Sequence, residues 1–252
     1  MDDILIERMS WHDVRDAMAS GKHTVILPIA AMEQHGPHMA IGTDTFLGYE
    51  TSIRLAKALG DALVAPAISI GYSVGHMPMP GTVTISEETL IIVLREVAES
   101  LVHHGFTDVV MVVSHGGNFA AVRAVVPELR KAHPDVRFHA RMDFESHMGD
   151  RQSLYDELGV GAVRMGVHAA QGETSMMLAC HPDLVDMDRA VEGFTGDASI
   201  RWKAKVPPPM NEMSPTGILG DARGSTAEIG ERVLQFEVER WVDAIRSGEI
   251  AK

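Results

Sequence analysis

The chain has 252 residues, of which 45 % are apolar and 23 % charged, and its net charge is −13 at pH 7 with histidine neutral. These are the proportions of a soluble globular protein, and the acidic balance argues against nucleic acid or an anionic membrane as the main partner. The single cysteine, Cys180, excludes a disulfide framework, and without a membrane-spanning run or a basic leader we expect a cytoplasmic location.

Short apolar runs alternate with longer amphipathic segments along the chain. Strands are predicted at residues 24–30, 63–67, 108–114, 136–141 and, less regularly, 162–167; helices are predicted at 46–59, 86–104, 118–132, 172–179 and 226–245. This alternation predicts an α/β fold with a largely parallel sheet flanked by helices. No linker interrupts it, so we expect a single domain over residues 1–252. The segment 206–224, rich in Pro and Gly, is expected to be an ordered loop near a site rather than a linker.

Candidate ligands follow three of the predicted strands, where parallel sheets gather their ligands. After the first strand come Glu33, His35, His38 and Asp44; after the strand at 108–114 come His115 and Asn118; after the run at 162–167 come His168 and Glu173. Because the carboxyl ends of parallel strands meet at one edge of the sheet, we expect these side chains to converge.

Mixed carboxylate and imidazole ligands suit Zn²⁺, Mn²⁺ or Fe²⁺. Glu33 and His35 are two residues apart, so in an extended segment both side chains point the same way. Asp44 opens a helix, where a carboxylate can bridge two ions. With His115 and Glu173 the set has five ligands, which suit two metals about 3.5–4 Å apart that activate a shared water and polarise a carbonyl. That is chemistry for opening an amide or a similar carboxyl derivative.

Alternative interpretations stay open for several residues. His38 suits a structural or surface role as well as a functional one, His115 could cap a turn, and Glu173 could simply favour the positive end of a helix dipole. Eight further histidines are interpreted as surface or core residues: His12, His23, His103, His104, His133, His139, His147 and His181. No nucleophile elbow or glycine-rich phosphate loop is present, and Cys180 is interpreted as a packed thiol.

Several motifs together resemble the creatininase (creatinine amidohydrolase) family. They are E-Q-H-G-P-H at 33–38 with G-T-D at 42–44, P-G-T at 80–82, S-H-G-G-N at 114–118, His168 with E-T-S at 173–175, and G-I-L-G-D at 217–221 with Ala227. The matches extend from about residue 25 to 230. The resemblance implies a three-layer α/β/α sandwich with a mostly parallel sheet, usually assembled as a hexamer.

The resemblance also implies two divalent metals per chain, Zn²⁺ foremost, with Mn²⁺ or Fe²⁺ in some members. One metal would be held by Glu33, Asp44 and His115, the other by His35, Asp44 and Glu173, with Asp44 bridging. His168 matches the histidine that passes a proton to the leaving nitrogen. The resulting hypothesis is a hydrolase of a small cyclic or linear amide in which a metal-bridging hydroxide is the nucleophile.

Three positions depart from true creatininases and indicate another branch of the family. Gly117 stands where they carry a metal-binding carboxylate, Val167 where they carry Glu before the catalytic histidine, and Arg164 where they carry a Trp against the substrate. Arg164, together with His38 and Asn118, is a candidate substrate-binding residue, and an arginine there suits a carboxylate or phosphate. Hydrolysis of a lactone or cyclic ketone at the same site, and a non-catalytic metal-binding subunit, remain alternatives.

Overall fold

A computed structural model describes residues 4–142, 149, 151–203 and 208–250 of the chain. Its described sheet has four strands in the order β2-β1-β3-β4, and all three pairings are parallel, as predicted. The strands are β1 (Thr24–Ile29), β2 (Ala62–Val64), β3 (Asp108–Val113) and β4 (Arg137–Ala140). β2 lies on one side of β1, and β3 lies on the other side. The order in which successive strands are added to the sheet therefore reverses between β1 and β3, while all strands stay parallel.

The helices have the following bounds, numbered in chain order: α1 Trp11–Ala19, α2 Thr43–Leu59, α3 Glu87–His103, α4 Phe119–Ala132, α5 Gln152–Glu157, α6 Ala162–Met165, α7 Gln171–Cys180, α8 Ile200–Lys203, α9 Met210–Met213 and α10 Ala227–Ser247. Local sequence sets several of these ends. Ser86 accepts a hydrogen bond from the backbone of Thr89 and begins α3, and Thr226 does the same for α10 through Ile229. Gly60 in the left-handed conformation ends α2.

The sheet is covered on both faces, which explains why its strands are continuous apolar runs. Leu27 of β1 points to the face covered by α3 and α4, where it shares a core with Leu94 and Val122. Its neighbour Ile26 points to the opposite face, covered by α2 and α10, and packs with Leu55 and Trp241. The three-layer α/β/α arrangement implied by the resemblance is therefore confirmed.

The strand predicted at residues 162–167 is wrong, because the chain forms the short helix α6 there. The backbone N–H groups of Arg164 and Met165 both bond to the carbonyl of Gly161, so these two donors are satisfied within a helical turn rather than by a neighbouring strand. Met165 is buried in an apolar cluster beside α7. At the end of the segment the chain turns extended: Val167 donates its backbone N–H to the carbonyl of Leu219, and His168 forms an isolated bridge with the same residue.

The segment 208–224 returns across the carboxyl end of the sheet, as expected of an ordered loop near a site. Gly217, at φ +75°, accepts a hydrogen bond from the Gln34 side chain through its carbonyl, and a Cβ at Gly217 would lie 2.0 Å from Gln34 Oε1. Residues 206 and 207 of this loop, and His147, lie outside the described residues. Among the helices that the structure describes, none combines the length and apolarity needed to cross a bilayer.

Candidate metal centre

The site lies at the carboxyl ends of β1 and β3, the neighbouring strands beside which the chain reverses direction. Open α/β sheets leave a crevice at such a point. Glu33 and His35 come from the loop after β1, and His115 directly follows the end of β3. Asp44 lies in the first turn of α2, and Glu173 lies in the first turn of α7. The fold thus brings together all five residues predicted to bind metal.

The carboxylate of Asp44 lies between two imidazoles. Its Oδ1 is 3.3 Å from Nε2 of His35, and its Oδ2 is 3.5 Å from Nδ1 of His115. Nε2 of His35 also lies 3.8 Å from Oε2 of Glu173. One carboxylate therefore presents one oxygen to His35 and the other to His115. Glu33, His35 and Asp44 also place ligand atoms within 4.8 Å of one another.

Glu33 is completely buried and is surrounded by imidazoles. Its Oε1 lies 3.3 Å from Nδ1 of His115 and 3.5 Å from Nδ1 of both His76 and His168. Neither carboxylate oxygen has a hydrogen-bond partner among the described residues. A buried carboxylate left in this state is costly unless a cation or a proton compensates it.

Backbone carbonyls orient the two candidate histidine ligands. Nε2 of His115 donates to the carbonyl oxygen of Tyr72 at 3.0 Å, which leaves Nδ1 to face Glu33 and Asp44. Nδ1 of His35 lies 3.1 Å from the carbonyl oxygen of Glu33, which leaves its Nε2 facing Asp44. Such outer contacts fix the tautomer and the orientation of metal-bound imidazoles.

The carboxylate at Glu173 is held by a strained turn. Ala169 has φ +52°, and its backbone N–H donates to Oε2 of Glu173. A non-glycine residue with positive φ is uncommon and concentrates at functional sites.

A side chain at Gly117 would meet the carbonyl of Tyr72 at 2.3 Å and the ring of His115 at 2.4 Å. The α7 helix can deliver a carboxylate to the cluster where the backbone at Gly117 has no room for one.

Protonated imidazoles compensate the carboxylates of the cluster in the metal-free protein. Burial lowers the pKa of His35 and His115, but the nearby carboxylates outweigh it and raise these values to about 10 and about 9. Burial raises the pKa of Asp44 and of Glu173. Protons on the imidazoles therefore supply the positive charge that the carboxylates require, and bound cations would replace them.

The donor set fits divalent cations. Buried oxygen and nitrogen atoms with no hydrogen-bond partner among the described residues point into the cluster: Oε1 and Oε2 of Glu33, Nε2 of His35 and Oδ2 of Asp44. Native proteins rarely leave buried polar atoms unpaired, so these orphaned atoms indicate a ligand. Imidazole nitrogens with carboxylate oxygens suit zinc and manganese.

His168 is buried beside the cluster, with its ring centroid 4.4 Å from that of His35. Nε2 of His168 lies 2.9 Å from both the carbonyl oxygen and the side-chain nitrogen of Gln34. The carbonyl can only accept, and the side-chain amide has other acceptors in Gly217 O at 3.1 Å and His76 Nδ1 at 3.2 Å, so the ring proton is assigned to Nε2. Burial, assisted by the neighbouring imidazoles of His35 and His76, lowers the pKa of His168 well below its ordinary value. A neutral ring with its Nδ1 lone pair facing the cluster can accept a proton there.

The three predicted substrate-binding residues lie elsewhere. His38 is buried, with Nε2 2.8 Å from the hydroxyl of Thr174, the residue after Glu173. Asn118 is fully buried and bonded to backbone at both ends, accepting from Tyr72 N at 3.0 Å and donating to Ala30 O at 2.9 Å. Arg164 has an exposed side chain 3.7 Å from Asp221. Among the described residues, none of the three forms a hydrogen bond or ion pair with the five ligand side chains, and their substrate contacts stay predictions.

Sequence reasoning missed His76. It lies in the single-turn helix Val74–His76, its Nδ1 is 3.2 Å from the side-chain nitrogen of Gln34, and burial lowers its pKa to about 4. The available signal was a histidine in the Gly- and Pro-rich loop after β2, which also belongs to the carboxyl edge of the sheet. Gln34, between the two predicted ligands of the first loop, was missed as well.

A family model described as creatinine amidohydrolase (creatininase) matches residues 7–245. The chain belongs to the creatininase family. Creatinine amidohydrolase of Pseudomonas putida is 31 % identical over 264 residues, covering 96 % of each chain. A mycofactocin precursor peptide peptidase of Mycolicibacterium smegmatis is also 31 % identical, over 88 % of this chain and 84 % of the relative.

Two solved creatininases extend the likeness to structure. A mutant creatininase described as Zn-Zn type is 29 % identical to this chain, with a TM-score of 0.77. A structure described as creatininase Mn is also 29 % identical, with a TM-score of 0.75. Each comparison covers 100 % of this chain and 100 % of the solved chain. Membership of the creatininase family makes the chain a metal-dependent amidohydrolase, as predicted. The cluster around Glu33 and Asp44 is its candidate metal site.

Proposed function

We propose that this creatininase-family protein hydrolyses the C–N bond of a small cyclic or linear amide with two divalent cations that share Asp44. The observation that carries the proposal is the placement of the two Asp44 oxygens, 3.3 Å from His35 on one side and 3.5 Å from His115 on the other. Glu33, Asp44 and His115 would hold one ion, and His35, Asp44 and Glu173 the other.

Zn²⁺ is the first choice for both positions, with Mn²⁺ or Fe²⁺ as alternatives, because the ligands combine imidazole nitrogen with carboxylate oxygen. When bound, such a pair lowers the pKa of a water molecule and polarises a carbonyl oxygen. The solved relatives described as Zn-Zn type and as creatininase Mn support this choice.

His168 acts as the proton shuttle in this proposal. Its Nδ1 faces the cluster at 3.5 Å from Oε1 of Glu33, and its Nε2–H is held by the carbonyl of Gln34. The neutral ring accepts a proton at Nδ1 as water attacks the amide carbon. Glu33 stabilises the imidazolium, which then gives the proton to the leaving nitrogen as general acid.

The names of two relatives, a creatinine amidohydrolase and a peptide peptidase, support C–N hydrolysis. The experiment is a panel of small cyclic amides, linear amides, lactones and cyclic ketones, assayed with the Zn²⁺-loaded and Mn²⁺-loaded protein. Turnover of amides above that of the matched lactones and ketones, and its loss in His168→Ala, is expected. Turnover of lactones or ketones alone would reject the amide assignment.

We also propose a homo-oligomer, hexameric by resemblance, with a cytoplasmic location. The support for assembly is a set of apolar side chains that are 41–51 % exposed in the loop between β2 and α3: Ile70, Val74, Met77 and Val83. Isolated exposed apolar residues are ordinary, whereas a group within one loop indicates an interaction surface. Light scattering on the eluting protein gives the assembled mass, and a monomer at micromolar concentration would contradict the proposal.

A further inference from the structure

A half-buried arginine adjoins the metal cluster and has no carboxylate of the described residues at ion-pair distance. Arg201 lies on α8, and its Nη1 donates to the carbonyl of Pro208 at 2.6 Å. Among the described residues no carboxylate lies within ion-pair distance of it. By contrast, Arg54, Arg137 and Arg151 each have a carboxylate at 2.6 Å.

The guanidinium packs on the turn that carries His76. A Cβ built on Gly75 would lie 2.6 Å from Nη2 of Arg201, so the absence of a side chain at Gly75 lets the guanidinium approach this backbone. The next residue, His76, places its Nδ1 3.5 Å from Oε1 of Glu33. Arg201 thus contacts the turn whose next residue, His76, faces the candidate metal ligand Glu33.

A guanidinium carries five N–H donors, and the described structure gives Arg201 one acceptor, a neutral carbonyl. Withdrawing this charge from water without an anion is unfavourable, so the arrangement indicates a negatively charged partner. The nearest carboxylate of the cluster, Glu33, is already enclosed by three imidazoles. Among the residues that the structure describes, no carboxylate is therefore left to pair with Arg201, which points to an anion that is bound from outside the chain.

A protein with net charge −13 and three carboxylates at its site repels an anionic substrate unless local cations compensate. Arginine binds a carboxylate through two parallel hydrogen bonds, which gives direction as well as charge. Arg164, the arginine that sequence analysis selected for this purpose, is exposed and lies 3.7 Å from Asp221. Arg201 occupies the place where such an anchor is needed.

We propose that Arg201 binds the carboxylate of the substrate, and that the substrate class is amides with a carboxylate a few bonds from the scissile carbonyl, such as N-acyl amino acids. This inference rests on the proposed function, because it takes the carbonyl of the same molecule to be bound at the metal cluster. Arg201 is a specificity-determining residue in this scheme, and it discriminates against neutral amides of the same size.

The test compares N-acetylglycine with its neutral analogue N-acetylglycinamide. Binding is measured by calorimetry on the metal-free and Zn²⁺-loaded protein, and hydrolysis is measured separately. The wild type is expected to bind the acid more tightly than the amide, and Arg201→Gln should remove that preference by weakening acid binding about 10- to 100-fold. Arg201→Lys should retain part of it. Gly75→Ala, which displaces the guanidinium, should reduce it as well.

Lys203→Gln is the matched control, because it removes one positive charge from the same helix and should leave the preference unchanged. A wild type that binds both compounds equally or binds neither, or an Arg201→Gln variant that keeps the preference, would overturn the inference. A binding preference that depends on Arg201, without hydrolysis of any amide in the panel, would support the anchor and reject the proposed function. The two failures are thereby distinguished.

Discussion

The imidazole of His115 donates its Nε2–H to the carbonyl oxygen of Tyr72 at 3.0 Å. This bond decides the chemistry of the other ring nitrogen, because Nδ1 of the neutral ring then carries a lone pair toward Glu33 and Asp44 at 3.3 and 3.5 Å. A lone pair and two carboxylates facing one another need a positive charge between them. In the metal-free protein that charge is a proton, and its release can be measured.

Metal binding at pH 7 should release about two protons per chain, one from His35 and one from His115. Their pKa values of about 10 and about 9 mean that both rings are protonated at neutral pH in the metal-free protein. Zn²⁺ affinity should therefore rise as the pH increases from 6 toward 9. Calorimetric titration in buffers of different ionisation enthalpy gives the proton count.

The control for this count is His115→Asn, which removes one of the two titrating rings. It should release about one proton fewer per chain than the wild type at the same pH. Zn²⁺ uptake without proton release, or an affinity that is constant from pH 6 to 9, would mean that these imidazoles do not bind the metal.

His168→Ala should separate proton transfer from metal binding. If His168 is the proton shuttle, its loss should lower kcat by about 10²- to 10⁴-fold and leave the metal content unchanged. Its Nδ1 is also 3.5 Å from Oε1 of Glu33, so a ligand role makes the opposite prediction for metal content. Steady-state kinetics and elemental analysis of the same preparation distinguish them: loss of metal together with turnover would show a ligand instead.

Asn118→Ala should destabilise the protein by about 2 kcal/mol, because it leaves buried backbone groups of Tyr72 and Ala30 without their partner. These bonds connect the end of β1 to the loop that carries His76. Asn118→Asp retains the acceptor for Tyr72, but it turns a second carboxylate oxygen toward the carbonyl of Ala30 and buries a charge, so it should lose at least as much stability. Denaturant unfolding measures both. Unchanged stability in Asn118→Ala with a raised KM would favour the substrate contact predicted from sequence.

A pH-dependent part of stability should come from Asp108, at the opposite end of the sheet from the metal cluster. Burial raises the pKa of Asp108, but hydrogen bonds from His139 at 2.9 Å and Arg137 at 2.6 Å outweigh it and lower the pKa to about 2. A depressed carboxyl pKa contributes stability above the unfolded value near 3.8, and this contribution is lost as pH falls toward 2.

Asp108→Asn should therefore cost on the order of 1–2 kcal/mol at pH 7, with the difference from wild type shrinking below pH 4. Thermal unfolding of both proteins between pH 3 and 7 provides the comparison. Arg137→Gln removes the more exposed of the two donors and should cost less. A difference between Asp108→Asn and wild type that is the same at pH 3 and pH 7 would contradict the assignment.

Much of the sheet was predictable because its strands are buried on both faces and read as uninterrupted apolar runs. The convergence of Glu33, His35 and His115 followed from a general property of parallel sheets, since each residue comes after a strand that ends at the same edge. Asp44 and Glu173 were selected because they follow predicted strands, and the strand predicted before Glu173 does not form. Both lie in the first turn of a helix, where carboxylates are favoured in any case, so spacing alone did not separate ligand from cap.

The remaining parts depend on contacts that sequence patterns do not encode. His76 reaches the cluster because the loop after β2 is held by Asn118, a residue far away along the chain. Arg164 faces solvent because residues 162–165 form a helical turn. A side chain on such a turn points in a different direction from the one that a strand at the same residues would give it. Arg201 comes close because Gly75 leaves room for its guanidinium.

The most direct measurement of the central claim is the number of metal ions per chain. It is made by inductively coupled plasma mass spectrometry on untagged protein equilibrated with Zn²⁺ and then desalted. About two equivalents are expected in the wild type and in the control Asp16→Ala. Asp44→Ala should lose both ions, because Asp44 would be shared between them. One equivalent or less in the wild type after saturation, or two retained in Asp44→Ala, would contradict a centre bridged by Asp44.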